Sequence, residues 1–395
     1  MGLLHYTPLC RVTRSRGLDL PGAGSILRTK KSTSGGRKAM NANIELVIDA
    51  DGHVQEDNDG IREFLPTPFL RDRMRTIFPP FDHFHRYHLI HPDPERVKRG
   101  VVGPDEWVTF LDDVGIDTTV LYPTQGLAYG KITAIDWAVA ATRAYNDWLH
   151  ATYCARDSRF KGMALIPMQD PVAAVEELRR AVTELGMVGA MLPSRGLIGH
   201  LGAKMYWPVY EEADRLGCAV AIHGGCHDGM GFDDLNRYAP VHAMGHPMGV
   251  MIGMASIVFN GVLDRFPNMR MSFLEGGIGW FLMVMERFDR SHVTHIEDDP
   301  EGEYGPHGDE IPSEYILRHI REGRLYVGCE GEEPALGFAA TRYSPDAFLY
   351  SSDFPHEVTT EMCKREIQEV RESEELADTD KEAILSRNAL RYYRL

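Results

Sequence analysis

Carboxylate and imidazole side chains stand two residues apart where an early apolar run ends. Leu46 to Ile48 predicts a strand, and Asp51 and His53 follow it in Asp-Ala-Asp-Gly-His. On an extended chain, residues two apart point to the same side, so this pair could supply two ligands of a metal ion. Taken alone, the Asp-x-His pattern is more typical of a turn with a capping aspartate, and it gains meaning only if later strands end in partners.

Such partners follow three later apolar runs. The run Ala-Val-Ala-Ile-His ends at His223, Arg-Met-Ser-Phe-Leu-Glu ends at Glu275, and Phe-Leu-Tyr-Ser-Ser-Asp ends at Asp353. Each has a simple structural explanation, as a hydrogen-bonded core histidine, an ion-pair partner or a helix cap. If all of them met at one place, they would repel and desolvate one another unless a cation lay among them. We therefore predict a divalent metal site with the ligands Asp51, His53, His223, Glu275 and Asp353.

The elements that must position these residues alternate between strands and helices. Eight apolar or β-branched runs alternate with helical stretches such as residues 171–185, where Asp170 is the predicted N-cap and Pro171 opens the first turn. This alternation predicts parallel strands with crossover helices, and eight units in one domain favour a closed (β/α)8 barrel of the TIM type. The second choice, an open doubly wound sheet, lacks Gly-x-Gly-x-x-Gly after its first strand. In the barrel, the carboxyl ends of all strands converge on one mouth, where the predicted ligands would meet.

The predicted organisation is one barrel over residues 43–395, with a basic extension before it and a lid inserted after the first strand. Residues 1–40 contain eight Lys or Arg and one Asp without periodicity, so we expect 1–42 to be disordered. A plain tail or a translated leader before Met40 is favoured over a transit peptide. The irregular stretch 66–103 predicts the lid. This stretch contains four histidines among aromatic residues, namely His83, His85, His88 and His91. We therefore favour a packed flap, and not a second metal centre, for this segment.

Composition limits the classes of function. The formal net charge of −16 argues against nucleic acid or an anionic membrane as partner. No uninterrupted apolar run approaches the roughly 18 residues of a membrane span. The six cysteines have no Cys-x-x-Cys spacing, which is typical of reduced thiols in a cytosolic protein. We therefore expect a cytoplasmic protein that acts on a small molecule, with apolar faces such as 248–259 that suit either a homodimer or core packing.

Other residues near the predicted mouth are candidates for binding substrate or orienting ligands. His246 begins the helix after the fifth strand and could bind substrate, bind a second metal or cap the helix. Arg195, after the fourth strand, could bind a substrate carboxylate through two guanidinium nitrogens or form a structural ion pair. Three further residues are predicted to lie behind the ligands: Glu56, Glu330 and His356.

Four motifs carry a resemblance to a known family. They are Asp-Ala-Asp-Gly-His-Val-Gln-Glu, the strand ending Ala-Ile-His-Gly-Gly, the run Gly-Val-Leu-Asp-Arg-Phe-Pro-Asn-Met-Arg-Met-Ser-Phe-Leu-Glu-Gly-Gly-Ile-Gly-Trp, and Ser-Ser-Asp-Phe-Pro-His-Glu. In this order they resemble the amidohydrolase superfamily, in the branch that includes aminocarboxymuconate-semialdehyde decarboxylase, over residues 45–395. The resemblance implies a (β/α)8 barrel with a divalent metal that activates water or orients a carboxylated substrate.

Two positions depart from the family's pattern. The resemblance implies that the family's strand-1 pair falls on Asp51 and His53, its strand-5 ligand on His223 and its strand-8 aspartate on Asp353. Strand 1 of the family usually has His-x-His, and here Asp51 replaces the first histidine. Many members have a catalytic histidine where Glu275 stands here. The additional carboxylates favour Fe, Mn or Zn over copper and could hold one ion or two. The absence of a strand-6 histidine argues against decarboxylation, and the absence of a lysine after strand 4 argues against a carbamylated-lysine site.

We therefore predict a metal-dependent hydrolase for small organic amides, esters, lactones or thioesters. In this hypothesis the metal activates water, Asp353 or Glu275 takes the proton and passes it to the leaving group, and His246 contributes at the substrate. The alternative is a metal-dependent non-oxidative decarboxylase of an aromatic or unsaturated carboxylic acid. A third hypothesis is a barrel that binds a ligand or partner without turnover.

Overall fold

The computed structural model describes residues 45–70, 76–87, 101–295, 305 and 309–395. Within them, eight strands form one sheet in sequential order, and each strand pairs in parallel with the next. The strands are β1 Ile48–Val54, β2 Thr118–Pro123, β3 Phe160–Leu165, β4 Gly189–Pro193, β5 Ala219–His223, β6 Arg270–Leu274, β7 Leu325–Cys329 and β8 Phe348–Tyr350. The predicted (β/α)8 barrel is confirmed as a nearly closed barrel. The extension predicted over 1–42 lies outside the described residues.

Helices fill the connections between strands. They are α1 Asn58–Arg62, α2 His83–Tyr87, α3 Pro104–Val114, α4 Ile135–Leu149, α5 Pro171–Thr183, α6 Trp207–Leu216, α7 Tyr238–Val258, α8 Val262–Arg265, α9 Gly279–His295, α10 Pro312–Arg321, α11 Leu336–Arg342, α12 Thr360–Glu372, α13 Asp378–Glu382 and α14 Asn388–Tyr393. Local sequence explains several ends. The Asp170 carboxylate accepts from two backbone N–H groups in the first turn of α5, as predicted. Helix α3 ends at Gly115, whose φ of 84° suits glycine.

The core lies inside the barrel and between the barrel and its helices. Every residue of β4, β5, β6, β7 and β8 is buried, as expected for parallel strands covered on both faces. Most of the helices bury apolar residues against the barrel, and α4 contributes Trp137, Tyr145 and Trp148. This packing holds the strand ends rigidly, and the mouth is built on those ends.

The barrel closes between β8 and β1 at the mouth. The Asp353 N–H donates to the Asp51 carbonyl at 3.0 Å, and the His53 N–H donates to the Phe354 carbonyl at 2.7 Å. Strand β1 was predicted to stop at Ile48, but it continues through Val54. It pairs with β2 across a register shift between residues 49 and 52, which is typical of a bulge that re-aims side chains. The candidate ligands of β1 therefore lie within a strand and not after it.

Helix α7 is long and apolar enough, by length and composition alone, to cross a membrane. Val241, Val250 and Met254 on this helix are nevertheless buried against the rest of the fold. Helix α7 also packs against β5 and β6. These contacts are those of a core helix in a barrel.

Part of the segment predicted as a lid is described, over residues 66–70, 76–87 and 101–103. The ring of Phe84 packs with Phe232 and Val241, beside the mouth. Two of the four histidines have partners in the fold: His83 Nε2 lies 3.1 Å from the Leu235 carbonyl, and His85 Nδ1 lies 3.0 Å from the Asp82 carboxylate. The predictions for His88 and His91 lie outside the described residues.

Candidate metal centre

The five predicted ligands meet at the barrel mouth. The Nε2 atom of His223 lies 3.1 Å from Asp51 Oδ1, and its Nδ1 atom lies 3.2 Å from Glu275 Oε2. His53 Nε2 lies 3.3 Å from Asp353 Oδ1. Two overlapping groups have donor atoms within 4.8 Å of one another, namely Asp51 with His53 and His223, and His53 with Glu275, Asp353 and His356.

Three buried polar atoms at this centre fit a metal ion. His53 Nδ1 lies 2.8 Å from the Pro123 carbonyl, so this nitrogen carries the proton and Nε2 keeps its lone pair. Among the described residues, His53 Nε2 is buried without a hydrogen-bond partner, and Glu275 Oε2 and Asp353 Oδ1 have imidazole nitrogens at 3.1–3.2 Å and 2.8 Å but no hydrogen bond of good geometry. Buried polar atoms normally have partners, and a divalent cation would satisfy all three at once. The donor set therefore fits a divalent metal.

The electrostatics of the centre also favour a cation. Burial raises the pKa of Asp51 and of Asp353, so their charged forms are disfavoured without a counter-ion. Burial alone would lower the pKa of His223, but the carboxylates of Asp51 and Glu275 raise it well above its usual value. Burial and two neighbouring imidazoles lower the pKa of His53 well below its usual value. A cation among these groups would compensate the acids and leave both imidazoles neutral as ligands.

Two of the candidate ligands have an unusual backbone conformation. Glu275 has φ of 59° and Asp353 has φ of 53°, in the left-handed region that side chains other than glycine rarely adopt. Such a conformation costs about 1–3 kcal/mol and persists only where the surroundings impose it. The fold thus keeps both carboxylates at the end of their strands in spite of local strain, as at many functional sites.

Asp49 supports the centre, and the sequence analysis missed it. Its carboxylate is fully buried and accepts four hydrogen bonds: from Thr119 Oγ1 at 2.6 Å, from Ser352 Oγ and N at 2.9 and 2.8 Å, and from Asp51 N at 3.2 Å. Burial raises the pKa of Asp49, although these four donors lower it. Asp49 therefore ties β1 to β2 and to the residue before Asp353. Its position two residues before Asp51, on the same face, was the available signal.

The three residues predicted to lie behind the ligands fall in different places. His356 contacts Asp353 Oδ1 through Nδ1 at 2.8 Å and stacks on His53 at 4.0 Å, so it lies within the centre. Both oxygens of Glu56 accept from backbone N–H groups of the turn after β2, at 3.0 and 2.8 Å, and so support that turn. Glu330 lines a cavity of about 20 Å³ together with three candidate ligands: Asp51, Glu275 and Asp353.

The two predicted substrate-binding residues are also on the mouth side of the barrel. His246, on α7, places Nδ1 3.1 Å from Glu275 Oε2. Arg195 follows β4 and lines a cavity of about 160 Å³ together with Ser194. Within the described chain, Arg195 Nε and Ser194 Oγ are buried without a hydrogen-bond partner. Ser194 N donates to the carbonyl of His223 at 2.9 Å, so the end of β4 that leads to Arg195 is paired with the end of β5 that carries His223.

Comparison with known proteins identifies the family. A family model described as Amidohydrolase matches residues 48–395. This protein belongs to the amidohydrolase family. The resemblance stated from four motifs is therefore confirmed, and the match begins at the first residue of β1 and includes all eight strands.

Relatives of this amidohydrolase include several decarboxylases. The chain is 27% identical over 290 residues to 2-amino-3-carboxymuconate-6-semialdehyde decarboxylase of Dictyostelium discoideum, covering 73% of this chain and 76% of the relative. It is 28% identical over 280 residues to gamma-resorcylate decarboxylase of a Polaromonas strain, covering 67% and 80%. The structure of 5-carboxyvanillate decarboxylase from Sphingomonas paucimobilis matches with a TM-score of 0.70 at 20% identity, covering 89% of this chain and 99% of the other.

The hydrolase prediction is wrong on these comparisons, because the curated and structural relatives above are named decarboxylases. That prediction rested on the carboxylate-rich ligand set, and the glutamate at position 275, where many family members have a histidine, was the argument against decarboxylation. In the structure, His246 and His356 contact the carboxylate of Glu275 at 3.1 and 3.7 Å. Two imidazoles that were predicted near the mouth therefore lie beside the position where the strand-6 histidine of the family is missing.

Proposed function

We propose that this amidohydrolase is a metal-dependent, non-oxidative decarboxylase of a small aromatic or unsaturated carboxylic acid. The convergence of two imidazoles and three carboxylates at the barrel mouth carries the proposal. Relatives named decarboxylases support the reaction class. A solved dihydroxybenzoic acid decarboxylase from Polaromonas, which has a TM-score of 0.64 at 20% identity, holds manganese and the inhibitor 2-nitroresorcinol, and this supports a divalent ion of that kind.

The residues that would hold the metal are Asp51, His53, His223, Glu275 and Asp353. A divalent ion there would supply a positive charge that orients the substrate carboxylate and an adjacent oxygen. The protein itself orients the His53 imidazole. Its Nδ1 donates to the Pro123 carbonyl, so the ring cannot turn without losing that hydrogen bond. Ligand orientation is thus built into the fold.

The proton that replaces the carboxyl group is assigned to the pair formed by Asp353 and His356. Burial opposes the charged imidazole, but without a metal ion the Asp353 carboxylate raises the pKa of His356 to about 9, so this pair can hold a proton. Its Nδ1 lies 2.8 Å from Asp353 Oδ1. When the carbon–carboxylate bond breaks and CO2 leaves, the electron pair stays on the substrate carbon and takes this proton through Asp353. Thr124 Oγ1, 3.0 Å from His356 Nε2, holds the ring in place.

Substrate binding is assigned to His246, on α7, and to Arg195, which follows β4. His246 contacts Glu275, and the guanidinium of Arg195 has no ion pair within the described residues, so it is available to an anionic or phenolic group.

The described cysteines are free thiols, which supports the expectation of a reducing, cytoplasmic setting.

The test combines metal content with CO2 release from a panel of hydroxybenzoic and unsaturated acids. His223→Ala is expected to lose bound metal and activity, and Asp353→Asn is expected to lose CO2 release. Asp117→Asn is the matched control, because Asp117 accepts the Val47 N–H at the opposite end of β1. Full activity in either site variant, or no CO2 from any member of the panel with the manganese-loaded protein, would refute the proposal.

A further inference from the structure

A buried aspartate from the segment 76–87 reaches the loop that follows β5. Asp82 is 2% exposed, and its Oδ2 atom lies 3.0 Å from His227 Nδ1. Its Oδ1 atom accepts from the backbone N–H of His85 at 3.0 Å and lies 3.0 Å from the ring Nδ1 of the same residue. Burial opposes ionisation, but these contacts lower the pKa of Asp82 far below its usual value, so it is a carboxylate. Asp82 is therefore a buried carboxylate that forms specific contacts with two histidines, and it is not a solvated surface group.

His227 passes this contact on to helix α7. Its Nδ1 faces Asp82, so the other nitrogen, Nε2, carries the lone pair, and it is buried without a hydrogen-bond partner in the described chain. The ring contacts Gly245, where a Cβ atom would come within 2.3 Å of Cδ2 and 2.5 Å of Nε2. It also makes an edge contact with the ring of His246, with centroids 4.8 Å apart and planes at 84°. Only glycine at position 245 leaves room for this arrangement.

His246 completes the connection to the metal centre. Its Nδ1 lies 3.1 Å from Glu275 Oε2, and a Cβ atom at Gly224 would come within 2.5 Å of the same Nδ1. The ring is therefore bounded by Gly224 on one side and by His227 on another. His242 also makes an edge contact with the His246 ring, with centroids 5.1 Å apart, but His246 Nδ1 has no hydrogen bond of good geometry, so loss of His227 would loosen the position of the ring against Glu275.

Other contacts hold the segment 76–87 in this place. Lys131 Nζ donates to the carbonyl of Pro80 at 2.6 Å and forms an ion pair with Asp228, the residue after His227. Phe84 packs in the small apolar cluster beside α7. The segment is therefore docked on the same loop that carries His227, and the Asp82 carboxylate is its contact toward the metal centre.

We propose that Asp82 and His227 are positioning residues of the reaction: docking of segment 76–87 fixes His227 through Asp82, and His227 fixes the imidazole of His246 against Glu275. This inference rests on the proposed function where it concerns activity, since His246 is assigned there to the substrate. It extends the site to a segment more than 140 residues away from His227 in the chain. It also assigns a role to a buried imidazole that the proposed chemistry does not use.

The test is a double-mutant cycle on kcat/KM for CO2 release, with the variants Asp82→Ala, His246→Gln and both together. Asp82→Ala is expected to lose tenfold or more in kcat/KM, as is typical when a partner of an active-site residue is removed. The double variant is expected to be no worse than His246→Gln alone, since Asp82 acts through His246. Losses that multiply in the double variant would overturn the proposal.

Two controls separate positioning from a general loss of structure. Asp170→Ala removes the N-cap of α5 and should lower the melting temperature while leaving kcat/KM unchanged. Gly245→Ala should reproduce the loss seen with Asp82→Ala, because its methyl group displaces the His227 ring. Gly279→Ala, where an added Cβ meets nothing within 4 Å, should leave activity unchanged. Equal losses in Gly245→Ala and Gly279→Ala would overturn the proposal.

A readout independent of activity distinguishes failure of this inference from failure of the proposed function. Amide hydrogen exchange measured by mass spectrometry should show faster deuterium uptake in 76–87 for Asp82→Ala, and a smaller increase for Asp82→Asn, which keeps an oxygen for His227. Unchanged uptake in Asp82→Ala would refute the docking contact. If no substrate releases CO2, the exchange result still decides whether Asp82 holds the segment.

Discussion

Replacing Asp49 tests whether the seam of the barrel shapes the metal centre. Its carboxylate accepts from two hydroxyls, those of Thr119 and Ser352, and from two backbone N–H groups, those of Asp51 and Ser352. The two N–H groups belong to a candidate ligand and to the residue before Asp353. Asp49 thus fixes the position of β1 relative to β2 and to the residues after β8, next to the candidate ligands Asp51 and Asp353.

The magnitude follows from which donors can find another acceptor. In Asp49→Ala the two hydroxyls can rotate, but the N–H groups of Asp51 and Ser352 remain buried without a partner. Each orphaned donor costs about 1–3 kcal/mol, so we expect a loss of about 2–6 kcal/mol in the free energy of unfolding. Asp49→Asn keeps one oxygen for the two N–H groups and turns its amide toward the hydroxyls, which can accept. Its loss should be smaller, about 1–2 kcal/mol.

Metal affinity should fall together with stability. Asp49 bonds the backbone N–H of the ligand Asp51 directly and that of Ser352, next to Asp353. Removing a group that orients ligands typically weakens metal binding by about 10–100-fold. We expect manganese affinity to fall by that order in Asp49→Ala and less in Asp49→Asn.

The assay is urea unfolding of metal-free protein together with manganese titration. Asp117→Asn again serves as control, because Asp117 accepts one N–H, that of Val47, at the far end of β1. The control should lose some stability without changing manganese affinity. The reasoning would be refuted if Asp49→Ala unfolded at the same urea concentration as the wild type, or if it bound manganese with unchanged affinity.

Three further predictions follow from burial, strain and charge. Asp353→Asn should raise the melting temperature of metal-free protein by a few degrees while abolishing activity, since asparagine tolerates the left-handed backbone better and burial disfavours the carboxylate; a lower melting temperature would contradict this. Burial, and after it the negative charge of Glu330, raises the pKa of Glu366 from 4.5 to about 8. Between these values only the unfolded state loses the proton, so stability falls as pH rises through that window, and urea unfolding of Glu366→Gln should show a smaller fall. Arg195→Met should raise KM roughly tenfold or more with little change in kcat; an unchanged KM would remove Arg195 from substrate binding.

The sequence was sufficient to predict the barrel and the five converging residues for a definite physical reason. Parallel strands buried on both faces appear as short apolar runs, and their polar terminal residues must share one mouth. Asp51 and His53 were identified by their spacing of two, and His223, Glu275 and Asp353 by their place at strand ends. The end of β1 was predicted wrongly because a bulge between residues 49 and 52 lets the strand continue through polar residues.

The supporting residues could not be predicted because their partners are distant in the chain. Asp82 and His227 are 145 residues apart, and no local pattern indicates that they meet. Asp49 bonds Ser352 across 303 residues, at a closure that only the three-dimensional barrel creates. The reaction class was mistaken for a related reason: His246 and His356 were predicted near the mouth, but no local pattern indicates that both contact Glu275, from α7 and from the loop after β8.

The metal centre contains groups that destabilise the fold without a cation. Asp353 combines a left-handed backbone with a buried carboxylate whose pKa is raised, and Glu275 shares that backbone conformation. An asparagine at position 353 would tolerate this backbone better and would avoid the buried charge, so folding alone does not account for Asp353. A bound cation reverses the electrostatic contribution, because the same carboxylates that repel one another in its absence are attracted to it. The strain at residues 275 and 353 and the rigid network around Asp49 then have one common consequence: the ligands are held in place before the metal arrives.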